Sequence, residues 1–159
     1  LNIGPNADGT IPVIMQERLL EIGNWLNVYG EGIYDTKQWI KDAQWSEGSK
    51  PVFSKSDFHG GFPIYQMTID PKEGDAVKEF WFSQKEDNLY AFSPEWPKTS
   101  SIVLNDVVPT SKTIVTLMGC DKELPYVKTK KGIKIDVSSI GIRDLKSQFV
   151  FGFKLSNIK

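Results

Sequence analysis

Short apolar stretches that alternate with polar residues, broken by turn residues, dominate the chain from Phe62 to its end. In Glu79-Phe80-Trp81-Phe82-Ser83 and Ile133-Lys134-Ile135-Asp136-Val137 every second side chain falls on one face, the period of a half-buried strand. Phe149, Phe151, Phe153 and Leu155 share a face in the same way. The candidate strands are Ile64–Ile69, Val77–Gln84, Leu89–Phe92, Ile102–Leu104, Thr113–Met118, Tyr126–Lys128, Ile133–Val137 and Phe149–Leu155. Lys85-Glu86-Asp87-Asn88 and Thr129 to Gly132 read as hairpin turns. The pattern predicts a mainly β fold, with an antiparallel β-sandwich over 62–159.

The start of the chain reads differently. Asp8-Gly9 is a turn signal, Asp8 or Thr10 is placed to cap a helix, and Pro12 suits a first helical turn. Met15, Leu19, Ile22 and Leu26 then recur at helical spacing and form one apolar stripe. Asn27 to Gly32 ends the helix. Residues 35–61 are rich in Lys, Ser, Gly and Asp and read as a linker, with Trp39 and Trp45 embedded in it.

Composition removes several function classes. The 19 basic and 20 acidic residues are mixed along the chain and leave a net charge of −1. No basic patch of the kind that nucleic acid or an anionic membrane needs is present. Lys128-Thr129-Lys130-Lys131 is the densest basic run and reads as a solvated hairpin tip. No apolar run reaches the ~18–20 residues of a membrane-spanning helix. The single cysteine, Cys120, cannot form an internal disulfide, and the single histidine, His59, has no second histidine or cysteine with which to build a metal site. His59 also lacks the nucleophile motif of a Ser/His/Asp hydrolase, and no phosphate-binding loop or dinucleotide fingerprint occurs. The reading assigns no catalytic residue, no metal ligand and no cofactor.

The tryptophans remain as candidate substrate-binding groups, because the apolar face of a sugar buries area against an aromatic ring. Trp39 and Trp45 are the two candidates; packing between domains is the competing role. Trp25 lies on the helix and reads as packing of that helix, and Trp81 and Trp96 read as sandwich packing. Glu31, in Gly30-Glu31-Gly32-Ile33-Tyr34, reads as hydrogen-bonded to an adjoining loop.

Leu1-Asn2-Ile3-Gly4-Pro5, the Asp8-Gly9 turn, Glu17-Arg18-Leu19, Gly23-Asn24-Trp25-Leu26 and Gly30-Glu31-Gly32-Ile33-Tyr34 together resemble the end of the catalytic barrel in the α-L-fucosidases of glycoside hydrolase family 29. Tyr90-Ala91, Glu95-Trp96-Pro97, Ile114 to Gly119 and Leu124-Pro125-Tyr126 resemble that family's C-terminal domain, with Tyr126 where Trp is commoner. Residues 45–78 depart most from the family. The resemblance implies three parts: 1–34 as the last strand and helix of a truncated (β/α) barrel, 35–61 as a linker, and 62–159 as the C-terminal β-sandwich domain. It also implies a retaining hydrolase of the animal lysosomal or secreted type that releases terminal α-L-fucose from glycoconjugates without a cofactor. Fucosylated glycans would be partners through the barrel, and oligomerisation is left open. The family's carboxylate pair stands upstream of Leu1-Asn2-Ile3-Gly4-Pro5, so the segment itself is expected to be structural and non-catalytic. The alternative is a non-catalytic carbohydrate-binding or protein-interaction β-sandwich module.

Overall fold

The computed structural model describes residues 3–50, 73–120 and 122–159. A helix, α1 (Val13–Tyr29), runs into a 3-10 turn at Gly30–Gly32. Eight strands follow: β1 (Ala43–Trp45), β2 (Lys78–Lys85), β3 (Asn88–Ser93), β4 (Ser101–Asn105), β5 (Pro109–Leu117), β6 (Tyr126–Lys128), β7 (Gly132–Asp136) and β8 (Phe151–Ile158). A second 3-10 turn at Ile142–Asp144 lies between β7 and β8.

The strands form two antiparallel sheets. One has five strands in the order β1-β2-β3-β8-β5, and the other has three in the order β4-β7-β6. The chain crosses between them after β3, β4, β5 and β7, so the two sheets are built from interleaved stretches of the sequence. Alternation decides which side chains meet in the middle. Phe80, Phe82, Leu89, Ala91, Val115, Leu117, Phe153 and Leu155 from the larger sheet meet Ile102, Leu104, Ile133 and Ile135 from the smaller, all buried in one cluster. Burying side chains of this size stabilises the fold by about 1.5–3 kcal/mol each.

Both seams of the sandwich are tied. At one, Gln44 of β1 is buried and reaches β4: its Nε2 donates to the Val103 carbonyl at 2.9 Å, and its Oε1 accepts from the Asn105 N–H at 2.9 Å. At the other, the Leu124 N–H donates to the Val115 carbonyl at 2.7 Å, and the Tyr126 hydroxyl donates to the Thr113 carbonyl at 3.3 Å. These bonds satisfy edge groups that would otherwise offer a pairing template.

Several expectations change. β1 falls inside the expected linker and pairs with β2 through Ala43–Trp81, Gln44–Phe80 and Trp45–Lys78. Three residues carry too little periodicity to announce a strand. No side chain caps α1; Pro12 occupies the N-cap position. The Asp8 carboxylate instead accepts from the N–H and hydroxyl of Thr10, closing the preceding turn. Phe149 lies outside β8 and is 63% exposed. Trp25 packs on the sandwich: it stacks on Tyr29, lies 5.8 Å from the Phe92 ring and donates its indole N–H to the Val150 carbonyl. The expected strand Ile64–Ile69 lies outside the described residues, as do His59 and the pair Leu1-Asn2.

Candidate functional site

The outer face of the five-stranded sheet has its own buried cluster, and the end of α1 covers it. Tyr90 and Phe92 of β3 point outward, opposite the inward Leu89 and Ala91, so β3 is buried on both faces. Tyr29 and Met118 complete this second core, with Trp25, Val28 and Val150 packed against it. Two glycines allow the close approach. A Cβ on Gly152 would come within 2.8 Å of both Met118 Sδ and Tyr29 Cδ1. One on Gly32 would meet Phe92 Cζ at 2.7 Å and Tyr90 Cδ1 at 2.9 Å. Glycine inside a strand, here Phe151-Gly152-Phe153, marks such a backbone approach.

Polar contacts fix the same junction. The Glu31 carboxylate accepts at Oε1 from the Tyr90 hydroxyl at 2.9 Å and from the Lys154 ammonium at 2.5 Å. The Ser83 hydroxyl donates to the Gly32 carbonyl at 2.5 Å. Burial alone would push the Glu31 carboxyl up. The hydrogen bonds from Lys154 and Tyr90 and the charges of Lys154 and Lys85 outweigh it and hold the carboxyl below its ordinary value. Tyr90 moves the other way, raised first by burial and then by its bond to the Glu31 carboxylate. Burial also raises Tyr29. The site is therefore a docking joint with a charged bond at its rim.

α1 has a second apolar face. At about 100° per residue, Met15, Leu19, Ile22 and Leu26 centre roughly a quarter turn away from the face bearing Trp25, Val28 and Tyr29. Met15, Leu19 and Leu26 are only half-buried, and Ile22 is 40% exposed. The helix thus docks on the sheet with one face at its C-terminal end and presents the stripe elsewhere.

The two tryptophan candidates separate. Trp39 is 6% exposed and sits in the sandwich core, its ring 5.0 Å from that of Phe82. Trp45 is half-buried at the β1 edge, with the ammonium groups of Lys78 and Lys50 at 5.3 and 5.8 Å from its ring centroid. The structure does not bring the two rings to one surface. Trp96 packs edge-on against Phe151 and stacks near Phe153. Trp81 is half-buried on the outer face of β2.

Among the described residues, no group of three or more His, Cys, Asp or Glu side chains converges to hold a metal ion. Two shallow surface depressions occur, of about 330 Å³ beside Thr113–Val115 and Glu123–Tyr126, and about 620 Å³ beside Asn105–Val108 and Lys128–Gly132. Each is lined by a single carboxylate, Glu123 in one and Asp106 in the other. Retaining glycoside hydrolysis needs two, ~5–5.5 Å apart. Among the described residues, the geometry is that of a joint between elements.

Residues 74–156 match the α-L-fucosidase C-terminal domain family, and residues 1–31 match the α-L-fucosidase family. The chain belongs to the α-L-fucosidases, as a C-terminal portion that includes their C-terminal domain. It is 29% identical over 160 residues to the tissue α-L-fucosidase of Homo sapiens, covering all of this chain and 28% of that protein. It is 33% identical over 128 residues to the tissue α-L-fucosidase of Rattus norvegicus, covering 80% of this chain and 21% of that protein. The fold is shared with the crystal structure of Thermotoga maritima α-fucosidase, at a TM-score of 0.63, 23% identity, and coverage of 98% of this chain and 29% of the other. This fucosidase chain therefore spans under a third of the length of the curated relatives it matches.

The joint was only partly visible beforehand. Glu31 was expected to bond an adjoining loop; its partners Tyr90 and Lys154 are 59 and 123 residues away. Two sequence features fit the covered outer face. One is the unbroken apolar run Leu89-Tyr90-Ala91-Phe92, which a strand buried on both faces requires. The other is Gly152 inside a strand of phenylalanines.

Proposed function

We propose that this chain is the non-catalytic C-terminal part of a retaining α-L-fucosidase, and that its sandwich is fixed to the catalytic barrel through α1. The observation that carries this reading is the helix with two apolar faces. One face is docked on the five-stranded sheet through Trp25, Val28 and Tyr29. The other, Met15-Leu19-Ile22-Leu26, is an apolar stripe of the kind a core buries, and it lies in the segment that matches the α-L-fucosidase family outside its C-terminal domain. The barrel is the surface that would cover it. The parent would release terminal α-L-fucose from glycoconjugates by a carboxylate pair outside this chain, in a lysosomal or secreted setting; relatives named tissue and plasma α-L-fucosidases support that reading. Fucosylated glycans would then meet the barrel, and the sandwich would hold the barrel's last helix in register.

The test is Leu19→Asp. In the full-length parent it should lower Tm and fucosidase activity together, while the isolated 159-residue chain keeps its melting behaviour. Unchanged parent stability would remove α1 from the interface. The alternative, a carbohydrate-binding module, would be favoured if Trp45→Ala weakened glycan binding while melting stayed constant.

A further inference from the structure

We propose that Glu31, Tyr90 and Lys154 form an acid-sensitive latch that sets how firmly the end of α1 stays docked on the sandwich. The latch joins three elements. Glu31 comes from the 3-10 turn that ends α1, Tyr90 from β3 and Lys154 from β8, and both donors converge on one carboxylate oxygen, at 2.9 and 2.5 Å. The pair is placed to matter. Tyr90 is fully buried, and its ring also packs against Gly32, so a change at its hydroxyl reaches the second core directly. Lys154 is the cation of this ion pair, with 27% of its side chain exposed, and its ammonium also lies 6.0 Å from the Tyr90 ring centroid.

The charged groups around Glu31 can be named from every side. Lys154 approaches from β8 and Lys85 from β2; Tyr90 approaches from β3, with Glu86 of the β2–β3 turn acting on Tyr90. Asp35, just past the turn, sits 3.7 Å from Lys85 and shares that cation. Among the described residues, no second carboxylate forms an ion pair with Lys154. Protonating Glu31 therefore removes the negative partner of Lys154 and weakens a charge-assisted bond into a neutral one. The remaining apolar contacts of Trp25, Val28 and Tyr29 still hold the helix, so the latch loosens the joint without dissolving the sandwich.

The sign follows from the direction of the Glu31 shift. Its folded value lies below its unfolded one, so the latch is at full strength above about pH 4.3. It is lost only as pH falls through the lower folded value. The latch thus stays made in mildly acidic surroundings, and the joint loosens only in stronger acid.

Amide hydrogen exchange on the full 159-residue chain, corrected for intrinsic pH effects, reads this directly. Between pH 6.5 and 3, protection across residues 29–34 should fall by about two- to fivefold, the range of an ion pair whose carboxylate side chain is 50% exposed, while Val115 and Leu155 in the core change little. In Glu31→Gln the same segment should be looser at pH 6.5 and show no such fall. Lys154→Met, which keeps the carboxylate and removes the ammonium, should move the midpoint upward. The proposal is overturned if the wild-type segment holds its protection to pH 3, if Glu31→Gln shows the same fall, or if Lys154→Met leaves the midpoint in place.

Discussion

Tyr29 lies against the bare backbone of Gly152: a methyl group there would stand 2.8 Å from Tyr29 Cδ1. This one contact joins the last turn of α1 to the central strand pair of the larger sheet. Gly152 faces outward between the inward Phe151 and Phe153. The core therefore fixes the strand, and the glycine fixes how near the helix can come.

Gly152→Ala should cost about 1–3 kcal/mol, the usual range for overpacking a filled site. The loss should be concentrated in the joint. Chemical denaturation measures the total, and hydrogen exchange should show residues 25–32 opening before β5 and β8. An alanine variant with wild-type stability would mean the helix can shift without penalty.

The seam held by Gln44 gives a second outcome. Its amide is buried and pairs with the Val103 carbonyl, the Asn105 N–H and, at 3.2 Å, the Glu79 carboxylate. Gln44→Ala leaves two backbone groups without their partner and should cost about 2–3 kcal/mol. Urea unfolding should show a lower midpoint with the same slope, because the surface exposed on unfolding is unchanged. A neutral result would mean that solvent replaces the amide.

Much of the sandwich was legible because its strands obey a simple period. Residues 126–128 are the strand β6 as expected, and the observed bounds of β3, β4 and β7 extend or shift the expected ones by one residue at each end. What was not legible depends on partners far along the chain. β1 has three residues, and only pairing with β2 makes it a strand. Trp25 and Glu31 sit in a helix and a turn whose local sequence says nothing of Phe92, Val150 or Lys154. Phe149 fits the period of β8, yet the strand begins at Phe151, and the Ser147 hydroxyl instead accepts from the N–H groups of Phe149 and Val150.

Trp39 and Trp45 should behave differently when truncated. Trp39→Ala removes a core ring and should cost about 3–5 kcal/mol. Trp45→Ala removes a half-buried ring and its contacts with two ammonium groups, and should cost about 1–2 kcal/mol. Thermal melting of the two variants, side by side, gives the order. The reverse order would place the domain's structural weight at the β1 edge instead of in the core.

The central claim is that this chain serves an α-L-fucosidase as structure and carries out no hydrolysis itself. Incubating the 159-residue chain with a chromogenic α-L-fucoside tests it most directly. The account predicts no release above the buffer rate, because it puts the carboxylate pair that retention requires outside this chain. Turnover that disappears when one Asp or Glu of this chain is replaced by its amide would contradict it.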